Sequence, residues 1–204
     1  MTDVTAATEL DQDALLKAAR ERAGLDDFGD TWFFEPMRHY LAAVRDEAKL
    51  SPAGIAARRE VIVKGLVSRL RLVEDIKRHP EILNEDVRVA GIMLGLPRTG
   101  STIFHRLLAS APGMTAIRWW ECQNYAPFPG ETRGEPVERR AYAQAMLDGW
   151  LSIAPDLMSI HPLDIDGPDE EIIILGQLFV STMLEGTEYI PSFAKWLDSY
   201  DQTK

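Results

Sequence analysis

One stretch constrains this chain more than any other: "GLPRTGST", at residues 95–102. Gly95 and Gly100 let the backbone turn tightly and approach a ligand, so successive N–H groups can point inward at the mouth of a following helix. Such a nest of amides selects an anionic oxygen cluster. Thr99, Ser101 and Thr102 add hydroxyl donors, and Arg98 supplies a permanent positive charge within the loop. The flanks agree with this reading. Residues 87–94, "VRVAGIML", form a mostly apolar run rich in branched side chains, compatible with a buried parallel strand. "STIFHRLLAS" then returns to helical spacing through Ile103, Leu107 and Leu108. Strand, loop and helix stand in the order that a phosphate site requires.

The loop departs from that of a nucleoside triphosphatase. Ser101 occupies the position where a triphosphatase carries the lysine that reaches the outer phosphates. No later hydrophobic strand ends in an aspartate that could help hold magnesium. A guest with a monophosphate-like group and a second anionic group facing arginine fits better than a metal-bound triphosphate. A magnesium-dependent nucleotide kinase or triphosphatase stays open as an alternative.

Upstream, from Glu9 to about Arg78, apolar residues such as Leu66, Leu70 and Val73 recur three to four apart among charged neighbours, the pattern of amphipathic helices. Ser51 can cap the longest of these, Pro52 suits its first turn, and Pro80 stops it. "MTAIRWWE" has the character of a second short strand, with Pro127 and Pro129 in the loop after it. "PVERRAYAQAMLDGWLSIAP" and "PDEEIIILGQLFVSTMLEG" each open with a proline followed by acidic residues, favourable at the positive end of a helix dipole, so both predict helices. "PSFAKWLDSY" predicts one more. The expected fold is α/β: a helical N-terminal extension over residues 1–86, then part of a parallel-sheet, phosphate-loop core over residues 87–204.

Composition narrows the function. The 204 residues are 46% hydrophobic and carry a formal net charge of −10, which argues against a nucleic-acid binder and requires a local positive site for any anion. The single cysteine, Cys122, excludes an intramolecular disulfide and any paired-cysteine metal site, and a reducing cytoplasm is the expected setting. The N-terminus lacks the basic and apolar regions of a secretory signal, and no apolar run reaches the roughly 20 residues of a membrane span.

"GLPRTGST" followed by "IFHRLLA" resembles the 5′-phosphosulfate-binding loop of the sulfotransferases, whose donor is 3′-phosphoadenosine 5′-phosphosulfate. "DFGD" and "RHPEI" ahead of the loop, then "WWE", "IHP" and "PDEE" after it, are similar to the bacterial branch with a helical N-terminal extension. The resemblance implies that Pro97, Arg98, Thr99, Gly100, Ser101 and Thr102 hold the donor, with Arg98 at the phosphosulfate. A fixed cation beside the bridging oxygen stabilises the charge that develops as sulfur leaves phosphate, with no metal needed. It further implies a hydroxyl acceptor, small or lipid-like, and a base to deprotonate it. Glu121, in "RWWECQ", is the first candidate, and His161, in "SIHPLD", is the second. Ordinary roles compete with both: a salt bridge for Glu121, backbone contacts for His161. His105 is expected on a packing face, and His39 and His79 show no metal-ligand spacing. Glu170 and Glu171 are expected at a helix start, and Trp119 and Trp120 in a core or an apolar acceptor wall.

The resemblance also leads one to expect a later strand and loop whose arginine and serine bind the donor's 3′-phosphate, and no such segment is found here. Residues 1–204 are therefore expected to be the first part of a longer enzyme or a shortened gene product, with donor affinity reduced unless a partner chain supplies the rest. A shortened sheet with exposed edges would favour self-association. A non-catalytic helical interaction module is the remaining alternative.

Overall fold

A computed structural model of the chain describes residues 9–95 and 99–201. They divide into two compact units. One comprises the chain up to Lys77 together with the segment from Ile172 onward, and the other comprises Arg78–Glu171.

The first unit is helical because its sequence caps and stripes helices. Helix α1 (Gln12–Ala23) starts where the Asp11 carboxylate accepts the Ala14 N–H at 3.0 Å and stops at Gly24, whose φ of 64° suits a left-handed cap. Leu15, Leu16 and Ala19 form its buried face. Helix α2 (Phe34–Glu47) buries Met37, Tyr40, Leu41 and Val44 at helical spacing. Helix α3 (Pro52–Arg78) opens as expected, with the Gly54 N–H donating to Ser51 Oγ at 3.1 Å and proline at its first position.

The "DFGD" motif is clasped by α3. Arg69 donates from Nε to the Phe28 carbonyl at 2.8 Å and from Nη2 to the Asp30 carbonyl, with its guanidinium 4.3 Å from the centre of the Phe33 ring. Gly29 between them has φ 67°, and a Cβ there would lie 3.0 Å from Val73 Cγ2, so backbone angle and contact both demand glycine. This part of the resemblance motif is accounted for by packing.

The C-terminal part of the unit departs from expectation. One helix is predicted over "PDEEIIILGQLFVSTMLEG". Two short ones form instead, α8 (Ile172–Gln177) and α9 (Met183–Thr187), because the chain breaks at Phe179, which adopts φ 61°. The break turns Phe179 into the core, 5.6 Å from the Tyr40 ring. Helix α10 (Pro191–Ser199) then packs against α2 through Phe193, 5.5 Å from Tyr40.

A buried carboxylate ties these elements together. Glu188 Oε2 accepts the Tyr40 hydroxyl at 2.6 Å, and its Oε1 faces Arg58 Nε at 2.5 Å. Burial, above all, holds the Tyr40 phenol in its protonated, donating form. The carboxylate is almost fully buried while Arg58 is one-fifth exposed, so the pair escapes most solvent screening.

The second unit contains a 3₁₀ turn (Pro80–Asn84), helix α4 (Ser101–Ala109), then α5 (Trp119–Gln123), α6 (Val137–Ile153) and α7 (Leu157–Ile160). Its core gathers Trp119, Trp120, Cys122, Ala126, Ala143, Leu147 and Leu163. Arg139 forks onto the Glu131 carboxylate, donates to the Asn124 carbonyl at 3.1 Å and lies 4.8 Å over the Trp120 ring, which folds the proline-rich loop back on α6.

The expected parallel sheet is absent among the described residues. Residues 87–94 form no helix or strand, with Val87 84% and Leu94 90% exposed, and α4 has no buried residue. A parallel strand needs neighbours on its edges and covered faces, and no described segment supplies either. The second predicted strand likewise reduces to a single antiparallel bridge, Arg118 to Pro168. Helix α5 begins at the next residue.

Replacing Tyr40 with Phe removes one donor from the buried carboxylate and should cost about 1–3 kcal/mol. Glu188→Gln leaves the Arg58 charge without its counter-charge and should cost more, on the order of 3–5 kcal/mol. Urea unfolding followed by circular dichroism measures both, and an unchanged midpoint for Glu188→Gln would contradict the assignment.

Candidate functional site

The phosphate loop leads into α4 through Gly100, at φ 91°. That angle, open to glycine and strained for other residues, turns the chain so that the Gly100 carbonyl accepts the Phe104 N–H at 3.2 Å and the helix starts at Ser101. No side chain caps this helix start. The first-turn amides of Ser101, Thr102 and Ile103 therefore retain donors for an anion, at the positive end of the helix dipole. A Cβ on Gly95 would lie 3.4 Å from Thr99 Oγ1. Pro97 and Arg98 lie outside the described residues.

Beside the start of α4 lies a shallow hollow, open to solvent. Thr102 and His105 line it from α4; His161, Pro162, Leu163, Asp164, Pro168, Asp169 and Glu170 line it from the segment after α7. Two of the sequence-predicted residues, Thr102 and His161, thus meet in one place. His161 ends α7, its N–H bonded to the Leu157 carbonyl at 2.8 Å, and its ring is exposed toward solvent. Arg106 Nη2 donates to the Pro162 carbonyl at 2.8 Å, which fixes the "IHP" segment against the phosphate-loop helix.

The far wall is held by backbone. Trp119 N–H donates to the Gly167 carbonyl, Trp120 N–H to the Ile165 carbonyl and Asp169 N–H to the Ile117 carbonyl, at 2.8–3.1 Å. The turn that allows this pairing closes with Gly167 N–H on the Asp164 carbonyl and Asp166 N–H on Asp164 Oδ1, both at 3.0 Å.

Glu121 stands elsewhere. Its Oε2 accepts the Arg118 N–H at 2.7 Å, while its own N–H donates to the Arg118 carbonyl. Arginine has no acceptor of its own, so the backbone completes this cap of α5. Glu121 is half-buried and does not line the hollow. Cys122, next to it, is buried and donates to the Glu170 carbonyl at 3.7 Å. Burial first, then the charges of Asp169, Glu121 and Glu171, pushes its thiol up to about 12, so it stays protonated and unreactive.

Two residues of the hollow escape the sequence reading. His105, expected on a packing face, lines the hollow because it lies three residues after Thr102, on the same side of α4; that spacing is the signal available in the sequence. Asp169 belongs to the "PDEE" run, expected to open a helix. The helix begins only at Ile172, and the acidic residues stay in the loop. Burial raises the Asp169 carboxyl above its ordinary range; the Glu170 N–H, bonded to Oδ1 at 2.7 Å, and the charges of His161, His105 and Arg106 oppose this. The other histidines are engaged differently: His39 stacks on Trp196 at 4.3 Å, and His79 Nδ1 lies 3.3 Å from Glu81 Oε1. No group of three His, Cys, Asp or Glu side chains among the described residues is arranged to hold a metal ion.

A carboxyl whose folded-state pKa is raised loses stability as pH rises through that value, because the ionised form is penalised in the folded state only. Asn at position 169 keeps an acceptor for the Glu170 N–H and carries no charge. Asp169→Asn should therefore raise the melting temperature at pH 7, and the gain should vanish near pH 3, where the aspartate is protonated in both states. Thermal melts at the two pH values check this, and a lower melting temperature for the variant at pH 7 contradicts it.

The sequence profile of the Sulfotransferase family matches residues 92–202. No curated protein sequence matches the chain. Among solved structures, the chain is similar to sulfotransferase STF1 from Mycobacterium tuberculosis H37Rv, with a TM-score of 0.74 and 26% identity over 95% of this chain and 53% of that one. It is also similar to sulfotransferase STF9 from Mycobacterium avium, with a TM-score of 0.76 and 27% identity over 94% of this chain and 50% of that one. The chain thus spans about half the length of the solved structures it matches. With the phosphate loop at the head of α4 and a profile match over more than half of its residues, this chain belongs to the sulfotransferase family.

Proposed function

We propose that this chain carries the donor-phosphate side of a sulfotransferase that moves a sulfuryl group from 3′-phosphoadenosine 5′-phosphosulfate to a hydroxyl acceptor, small or lipid-like. The observation that carries this reading is the uncapped start of α4 behind Gly100, with Ser101 in place of a triphosphatase lysine and a hollow at its side. The residues fit the donor's chemistry. First-turn amides and the hydroxyls of Ser101 and Thr102 suit phosphate oxygens, and Thr99 adds a third hydroxyl. Arg98 in the loop would face the phosphosulfate and stabilise the charge on the bridging oxygen, as an electrostatic clamp does in other group transfers. When bound, the donor supplies an activated sulfuryl group on a good leaving phosphate.

For the base, Glu121 and His161 remain the candidates from the sequence. The hollow favours His161, which shares it with Thr102, whereas the Glu121 carboxylate is committed to capping α5. The single, buried Cys122 accords with a reducing cytoplasm. No helix of the described residues is long and apolar enough to cross a membrane.

Melting of the purified chain with 3′,5′-adenosine bisphosphate, in parallel with magnesium-ATP, tests the reading. The bisphosphate at about a hundred times its dissociation constant should stabilise the protein by about 2.7 kcal/mol. Magnesium-ATP should not, and Arg98→Ala should remove most of the effect. Stabilisation by magnesium-ATP alone would instead favour a nucleotide kinase or triphosphatase.

A further inference from the structure

We propose that Asp169 is the positioning residue of this site: fixed in the wall of the hollow that His161 and His105 also line, it offers a carboxylate oxygen toward which the imidazole of His161 turns as it takes the proton from the acceptor hydroxyl. The proposal rests on the sulfuryl-transfer reading and deepens it.

Both residues are held in the wall of the same hollow. Asp169 is anchored at both ends: its N–H donates to the Ile117 carbonyl at 2.8 Å and its Oδ1 accepts the Glu170 N–H at 2.7 Å. Oδ2 makes no hydrogen bond with the described residues. A carboxylate held this way, with one oxygen committed and one uncommitted, can orient an imidazole as buried carboxylates do in other acid–base pairs. His161 opens the same loop, its backbone locked by α7 and by the Arg106 bond to Pro162.

The charged and titratable surroundings are few. Helix α4 contributes His105 and Arg106, the end of α7 contributes His161, and the loop contributes Asp164 and Glu170. From behind, α5 brings Cys122, whose thiol stays protonated, and Glu121, whose Oε2 is bonded to backbone. His161 and His105 are thus the bases within the hollow that an Asp169 anion can reinforce. Ionised Asp169 is also disfavoured by its burial, and a charge kept at a cost to stability is characteristic of functional sites.

The step balances. The acceptor oxygen attacks sulfur with a lone pair while its proton passes to a nitrogen of His161. The sulfur–bridging-oxygen bond breaks, and its electron pair leaves with the phosphate as 3′,5′-adenosine bisphosphate. The products are a sulfate ester, the bisphosphate and an imidazolium whose positive charge Asp169 balances. No oxidant or metal enters.

Two measurements on the full chain test this. In a carboxyl ¹³C NMR titration, the Asp169 midpoint should move to higher pH in His161→Gln, because a cationic neighbour is lost, and move less in His105→Gln. An Asp169 midpoint unchanged in His161→Gln overturns the proposal. In turnover, Asp169→Asn should lower kcat/KM at least tenfold and move its acid limb to lower pH, with partial recovery in Asp169→Glu; a reduced plateau with an unmoved limb also overturns it. If the NMR coupling is present but no hydroxyl acceptor is sulfated by the wild-type chain, the pairing stands and the sulfuryl-transfer reading falls.

Discussion

The second unit depends on a short backbone pairing, the one between residues 117–120 and 165–169. Three N–H groups, of Trp119, Trp120 and Asp169, find their acceptors across it. A buried amide without a partner costs about as much as a lost hydrogen bond, so the pairing leaves the loop after α7 little freedom. Because the loop cannot move away, the "IHP" and "PDEE" segments face the same side of α4, and the hollow beside the phosphate loop exists at all. Arg106 and Pro162 close the ring from the α4 side.

Elements built by local rules were legible in the sequence. The Ser51–Pro52 start of α3, the long α6 and the proline-led α10 all follow from capping and spacing. Gly100 announced its turn because a residue at φ 91° must be glycine in nearly every case. What depended on partners was not legible. Residues 87–94 carry a strand's composition, yet composition cannot supply a neighbouring strand, and the segment stays unpaired and exposed. The break at Phe179 is equally invisible locally, since what favours it is the Tyr40 side chain far away in sequence.

The site shows the same division. Thr102 and His161 were named from motifs and share the hollow, while Glu121, named for its place after "WWE", caps a helix. Asp169 was overlooked because acidic residues after a proline fit a helix start so well that no other role was needed. Its position three residues before Ile172 is a tertiary fact, fixed by the bond to Ile117. In the first unit the corresponding surprise is Glu188, a buried carboxylate satisfied by Tyr40 and Arg58, groups more than a hundred residues earlier in the chain. Buried charges of this kind specify which helices meet, and nothing in their immediate sequence marks them.

The central claim is that the amides opening α4 hold a phosphate of an adenosine bisphosphate without magnesium. Backbone ¹H–¹⁵N spectra recorded while 3′,5′-adenosine bisphosphate is titrated into the chain test it most directly. The account predicts saturable shifts at Gly100, Ser101 and Thr102 that are the same with and without magnesium. Unmoved signals at these three residues, or shifts that appear only with magnesium and ATP, would contradict it.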